Sequence, residues 1–349
     1  MRALIHLILS FVFILTLGGL QGQPTNVQPA EKDATVTKTP ANSEATAETK
    51  PAEKTTDSAA ENIQPAADKI VFAAGFSGGT YFRIADSLDE AGVVPLKVNP
   101  TRGSTENLSL LKANEAQLAL CQVDILTNRY LYDRGVKRSV KIILPVYNEE
   151  LHIFAKNSIK KLTDLKGKKI ALGSKNSGTN VTARIVLGTS GINKSNSKLH
   201  EVGSSDALTM LKNDNLDALF LVAGSPVTLL ADLAADNAEN YHLVSLQGAK
   251  YDLLVGRYFP YEKVNIAANT YVWQKAAVQT LAAQSLIVGR ADLPDATIDA
   301  LVRQVFNKKT KLESIHPKWK QLELEYAKAF VKAQKRYFHP AAIKAIETL

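Results

Sequence analysis

Apolar and polar positions divide this chain into three stretches. A short apolar run spans Leu4 to Leu17, residues 23–68 carry almost no large apolar side chain, and from Lys69 onward apolar segments recur to the C terminus. Past Lys69 the runs "KIVFAAG", "PLKVNP", "AQLALCQVDIL", "KIILPVY", "LHIFAK", "KKIALGS", "DALFLVAG" and "SLIVG" read as strands, being short, rich in β-branched residues and bounded by turn residues. Helical spacing fills most of the gaps. In "TYFRIADSLDEAG", Phe82, Ala85 and Leu88 share one face and Gly92 supplies a C-terminal stop. Strand and helix in alternation predict an α/β fold with largely parallel sheets.

The same pattern occurs twice. "SGGTYFRIADSLDEAGV" begins at Ser77 and "SGTNVTARIVLGTSGI" at Ser177, while "GSTENLSLLKANEAQLALCQV" begins at Gly103 and "GSSDALTMLKNDNLDALFLVA" at Gly203. Both pairs share an offset of 100 positions. Matched spacing in two separate blocks predicts two lobes of similar topology, against the alternative of coincidental βα repetition within one large sheet.

Composition adds the setting. With 349 residues, 45% of them hydrophobic, the chain can bury a sizeable core. The basic start at Arg2, the apolar run and the small residues that follow make residues 1–22 an export signal, shorter than a membrane-spanning helix requires. Residues 23–68, built from Ala, Thr, Glu, Lys and Pro, read as a disordered tether of about 45 residues that spans on the order of 35–40 Å. The protein is therefore expected in the periplasm, held at the membrane if the signal stays attached. Cys121 is the single cysteine, which excludes an internal disulfide, and its apolar neighbours mark it as a buried strand residue. A net charge of +8 suits several anionic partners. The densest basic run, Lys308, Lys309 and Lys311, lacks interleaved aromatics and reads as a solvated helix end, so no nucleic-acid partner is expected.

Candidate chemistry concentrates in "GFSGGTY". Gly75, Ser77 and Gly79 spell the G-x-S-x-G of a nucleophile elbow, but no foldable sequence precedes it to build the usual sheet, and no histidine stands in a pattern that marks it as a base. The alternative is a ligand clamp. Turns that run into helices offer unpaired backbone N–H groups and the positive end of the helix dipole to an anion. Gly78 and Gly79 let backbone approach a guest, while Ser77 and Thr80 cap the helix or donate hydroxyls; Ser177, Gly178, Thr179 and Thr182 are placed to do the same from the second repeat. Ser104 with Asn107, and Gly224 with Ser225, lie at further turns of this kind. For any one of these residues, a plain N-cap explains the letter equally well. Arg102 is a candidate bidentate partner for a carboxylate, or a surface arginine beside a loop, and Tyr81 or Tyr271 could cover a ligand or be core. "GSKNSGT" lacks the G-K-[ST] of a nucleotide loop, and no His, Cys or carboxylate cluster has metal-ligand spacing, so neither cofactor nor metal is expected.

From Lys69 to Leu349 the sequence resembles the TAXI proteins, the TRAP-associated extracytoplasmic immunogenic branch of solute-binding receptors. The resemblance is carried in order by "SGGTYFRIADSL", "PTRGSTENLSLLKANEAQLALCQVDI", "ELHIFAKNSIKKLTDLKGKKIALGSKNSGTNVTA", "VAGSP", "AANTYVWQ", "SLIVGRADLP" and "HPKWKQLELEYA". It implies a two-lobed periplasmic-binding-protein-like fold of type II with a ligand cleft between the lobes. Lobe I would comprise residues 69–152 plus 280–349 and lobe II residues 153–279. The implied activity is non-enzymatic: capture of a small anionic solute, a carboxylate such as an amino acid or dicarboxylate, by cleft closure and delivery to a TRAP-type membrane permease. Carried over by position, Ser77, Gly78, Gly79, Thr80, Tyr81, Ser104, Asn107, Gln122, Asp124, Ser177, Gly178, Thr179, Gly224, Ser225 and Tyr271 would face the cleft. The chain departs from the family pattern at Arg102, where glycine is frequent, and at "YVWQ", where Y-P-G-Q is common. An envelope-tethered sensor or assembly protein on the same fold is the alternative, with a serine hydrolase using Ser77 behind it.

Overall fold

The computed structural model describes residues 69–233, 239–255 and 260–349. The expected signal and tether lie outside the described residues, and none of the described helices is long and apolar enough to cross a membrane. In chain order the first half runs β1 (Ile70–Ala73), α1 (Thr80–Glu90), β2 (Leu96–Asn99), α2 (Ser104–Ala113), β3 (Leu118–Gln122), α3 (Val123–Tyr132) and α4 (Arg134–Ser139). A long strand, β4 (Val140–Lys156), leads into the second half: β5 (Lys169–Ala171), α5 (Gly178–Thr189), β6 (Lys198–His200), α6 (Ser204–Lys212), β7 (Ala218–Ala223), β8 (Tyr241–Leu243) and β9 (Tyr261–Ile266). The chain returns along β10 (Val278–Arg290) to α7 (Asp295–Asn307), α8 (Lys309–Ile315), α9 (Leu324–Gln334) and α10 (Pro340–Glu347).

Sheet order explains the duplicated sequence. β1 pairs in parallel with β2 and β3, and β5 pairs in parallel with β6 and β7, so each half carries the order 2-1-3 of its own strands. Next to each parallel trio lies one antiparallel strand, β10 beside β3 and β4 beside β7, and β10 and β4 pair antiparallel with each other. The sheet is thus mixed rather than largely parallel, because the two strands joining the halves run against both trios. "KIILPVY" and "LHIFAK" are one continuous 17-residue strand. Where "AQLALCQVDIL" reads as a single strand, the strand stops at Gln122 and Val123 opens α3. This topology, two α/β halves joined by shared antiparallel strands with the ends of both trios facing one cavity, is the two-lobed type II periplasmic-binding-protein fold.

Burial follows the pattern of the runs. All residues of β3, Cys121 among them, are buried, as expected for a strand covered on both faces. One apolar cluster runs from the first half through Ile170, Ala183 and Leu187 of the second, and another fills the α6 side of the second half with Leu208, Leu211, Leu219 and Tyr271. Each fully buried Leu or Phe adds roughly 1.5–3 kcal/mol relative to leaving it in water. Lys308 and Lys311 are not simply solvated: their ammonium groups donate to the carbonyls of Gly92 and Glu90, capping the end of α1, and Lys309 pairs with Glu313 and Glu323.

Candidate functional site

A cavity of about 300 Å³ lies where the strands of both trios end. Its wall is made by the first turns of α1, α2, α5 and α6, through Gly79, Thr80 and Tyr81; Gly103 and Ser104; Ser177, Gly178 and Thr179; and Gly203, Ser204, Ser205 and Asp206. A helix leaves its first N–H groups without intrahelical acceptors, so four positive helix ends from both halves bear on one space. The local sequence builds each start differently. Gly79 caps α1 with no side-chain bond, Ser177 Oγ caps α5 by accepting from Asn180 N at 3.1 Å, and Gly103 enters α2 at φ 106°, a conformation glycine adopts without strain.

Behind this wall the halves touch through buried polar groups. Ser104 Oγ accepts from Gln122 N at 3.1 Å and lies 3.2 Å from the Tyr81 hydroxyl. Asp124 accepts from Thr182 of α5 at 2.8 Å and from Tyr261 of β9 at 2.7 Å, and Gln122 Nε2 donates to Thr182 at 3.3 Å. Burial raises the Asp124 pKa, and the two hydroxyl donors work against that rise. At Gly178 the approach is so close that a β-carbon would sit 1.7 Å from Gln122 Oε1.

Two side chains of β4 complete the cavity. Tyr147 and Glu149 alternate onto the same face and both line it, whereas Glu150 points to the opposite face. Glu150 is paired with Lys318 at 2.9 Å and accepts from Ser225 N at 2.7 Å. Glu149 Oε1 has no hydrogen-bond partner although the residue is 2% exposed. Burial pushes the Glu149 pKa up to about 8, and the nearby Tyr81 and Ser285 hydroxyls offset only part of that. Burial also raises the Tyr81 and Tyr147 phenols, which stay protonated and able to donate.

Of the residues singled out in sequence, Gly75, Gly79, Thr80, Tyr81, Arg102, Ser104, Gln122, Ser177, Gly178 and Thr179 line the cavity. The others are placed elsewhere, each for a visible reason. Ser77 and Gly78 sit on the exposed turn before α1, displaced because the helix starts two residues later at Thr80. Asn107 is internal, donating to the carbonyls of Ala74 and Leu120 at 2.5 and 2.7 Å, and Asp124 is held in the contact between the halves. Gly224 packs against Lys318 and Tyr147, and Ser225 is tied to Glu150. Tyr271 is buried, stacked on Trp273, accepting from Val227 N at 3.0 Å and lying 2.8 Å from His152 Nε2. Arg102 lines the cavity with its guanidinium already engaged, Nε and Nη2 each 3.0 Å from the Glu106 carboxylate. Glu149, Tyr147, Phe76 and the Gly203–Asp206 turn were not singled out in sequence; the alignment of Gly203 with Gly103 was the available signal for that turn, and none marked Glu149.

Among the described residues no cluster of His, Cys, Asp or Glu could hold a metal ion. The chain belongs to the NMT1-like family, whose model matches residues 72–347. Similar solved structures include an amino acid ABC transporter substrate-binding protein from Streptococcus pneumoniae bound to L-arginine: 15% identity, 73% of this chain and 96% of that one, TM-score 0.44. The GluR0 ligand-binding core from Nostoc punctiforme in complex with L-glutamate is 17% identical over 72% of this chain and 98% of that one, TM-score 0.45. XAC2383 from Xanthomonas citri bound to ATP is 12% identical over 80% of this chain and 98% of that one, TM-score 0.48. None of these likenesses bears on what this chain binds.

Proposed function

We propose that the protein is an extracytoplasmic solute-binding receptor that closes its two halves around a small carboxylate-bearing solute and hands it to a TRAP-type membrane permease. The observation that carries this reading is the convergence of four helix starts, two from each half, on one cavity where Arg102, the one arginine lining it among the described residues, is already paired with Glu106. An acid group there is held by backbone N–H groups and hydroxyls, an arrangement that suits anions without a buried counter-cation. Export to the periplasm rests on residues 1–22, and delivery to a TRAP permease on the ordered TAXI-like segments; both belong to the proposal.

A thermal-shift screen of carboxylates, amino acids and sugar acids tests the binding step. A solute at a hundredfold excess over its Kd adds about 2.7 kcal/mol to stability and raises the melting temperature. A screen in which no small solute moves the melting curve overturns the receptor reading. For the transport step, uptake of the identified solute should vanish when the gene is deleted; undiminished uptake overturns delivery to a permease.

A further inference from the structure

Adjacent glutamates on β4 are treated oppositely by the fold. Glu150 receives an ammonium and a backbone N–H, while Glu149, even more deeply buried, has an oxygen with no partner and lines the cavity. A buried carboxylate without a counter-charge costs several kcal/mol unless something else meets it. The Tyr81 and Ser285 hydroxyls meet it only in part, and no cation among the described residues pairs with it. Apart from the exposed carboxylate of Asp206, the rest of the cavity wall is rich in donors: the first amides of four helices and the hydroxyls of Thr80, Tyr81 and Ser104. A solute made only of acceptor groups satisfies that wall and leaves Glu149 unmatched; a solute that also carries a cationic nitrogen satisfies both.

We propose that Glu149 is a specificity-determining ligand contact, and that the solute is an organic acid bearing a protonated nitrogen, whose acid group lies at the helix starts and whose nitrogen lies against Glu149. The proposal deepens the receptor reading and rests on it. A plain dicarboxylate is then a poor ligand, because it places a second anion where the cavity already holds a carboxyl group.

Matched pairs test this: L-glutamate with glutarate, L-aspartate with succinate, and L-alanine with propionate, titrated by calorimetry into the exported protein and into Glu149→Gln. Gln keeps the side chain's size but cannot ionise against a cation, so the variant should fold, with thermal melting as the check. The expected result is that an amino acid binds, its deaminated partner binds at least about tenfold more weakly, and Glu149→Gln lowers affinity for the amino acid at least about tenfold while hardly changing the deaminated acid. If deaminated acids bind as tightly, or if Glu149→Gln leaves amino-acid affinity unchanged, Glu149 is no such contact and the receptor reading stands. If neither member of any pair binds and the broader carboxylate screen is also silent, the receptor reading falls and this proposal with it. If that screen instead finds an acid without a nitrogen, this proposal alone falls.

Discussion

The two halves of the cleft carry the same βαβαβ topology and arm it differently. In the second half, Ser177 lies at the N-cap of α5, buried, with its hydroxyl engaged by Asn180 N. In the first half the serine at the matching sequence position, Ser77, lies on an exposed turn, and Gly79 takes the N-cap. The sequence repeat of 100 positions is therefore a repeat of topology, with the helix start displaced by two residues in one copy. The first half compensates with depth: Ser104, Gln122 and Asp124 form a buried polar run that reaches Thr182 across the cleft. One half offers a capped turn, and the other offers the groups that hold the two together.

The largest effect should come from setting glycine against glycine. Gly178→Ala places a methyl 1.7 Å from Gln122 Oε1, and that buried side chain must give up its bond to Thr182 of the other half to make room, so solute affinity should fall on the order of a hundredfold in a calorimetric titration. The counterpart Gly79→Ala meets the Phe76 ring at 2.8 Å, but Phe76 is exposed and can swing aside; affinity within about threefold of wild type is expected. Equal losses would break the asymmetry. Next, Asp124→Ala removes the acceptor of the Tyr261 and Thr182 hydroxyls and should cost about 2–3 kcal/mol in urea unfolding, whereas an unchanged midpoint would show that the contact between halves adds nothing.

Titration separates the two neighbouring glutamates. Glu149 keeps its proton up to about pH 8 when folded, against a reference value of 4.5 for the free side chain. Between those values the folded state holds more protons, so stability should decline as pH rises through the window, and Glu149→Gln should flatten that decline. Around it Asp124 and Glu150 oppose ionisation, while the Tyr81 and Ser285 hydroxyls favour it. His152, whose pKa burial lowers from 6.5 to about 4, works in the other direction: its contribution is lost as pH falls from 6.5 toward 4. Melting temperatures from pH 4 to 9 for wild type and Glu149→Gln check both signs. The smallest effect is the cap itself: Ser177→Ala should cost about 1 kcal/mol and Ser77→Ala within about 0.5 kcal/mol of nothing, measured by thermal melts.

How far the letters went depends on the range of the interaction. β1, β2, β5 and β7 were legible because each is a short apolar run flanked by turn residues, and the turns before α2 and α6 were legible because Gly103 and Gly203 recur in the same register. β4 was misread as two strands because "NEE" looks like a polar break, yet Asn148 N bonds Gln321, Glu150 meets Lys318 and Glu149 faces the cavity. Partners about 170 positions away make those polar letters compatible with a strand. Arg102 looked available for a ligand and is held by Glu106 four residues on, a pairing that the helical spacing of α2 permitted but did not require. Tyr271 and Asp124 looked like cleft residues and are fastened to groups more than a hundred positions away.

Local free energies, which depend on the order of neighbouring residues, already determine the α/β alternation, the duplicated units and the helix starts that can serve an anion. Which of those starts face one another, that the sheet is mixed, and that one of two adjacent glutamates is neutralised while the other is left facing the cavity were decided only in three dimensions. Pairing between distant strands and the loss of water around a charge depend on what the chain brings together from far away, and periodicity carries no record of that.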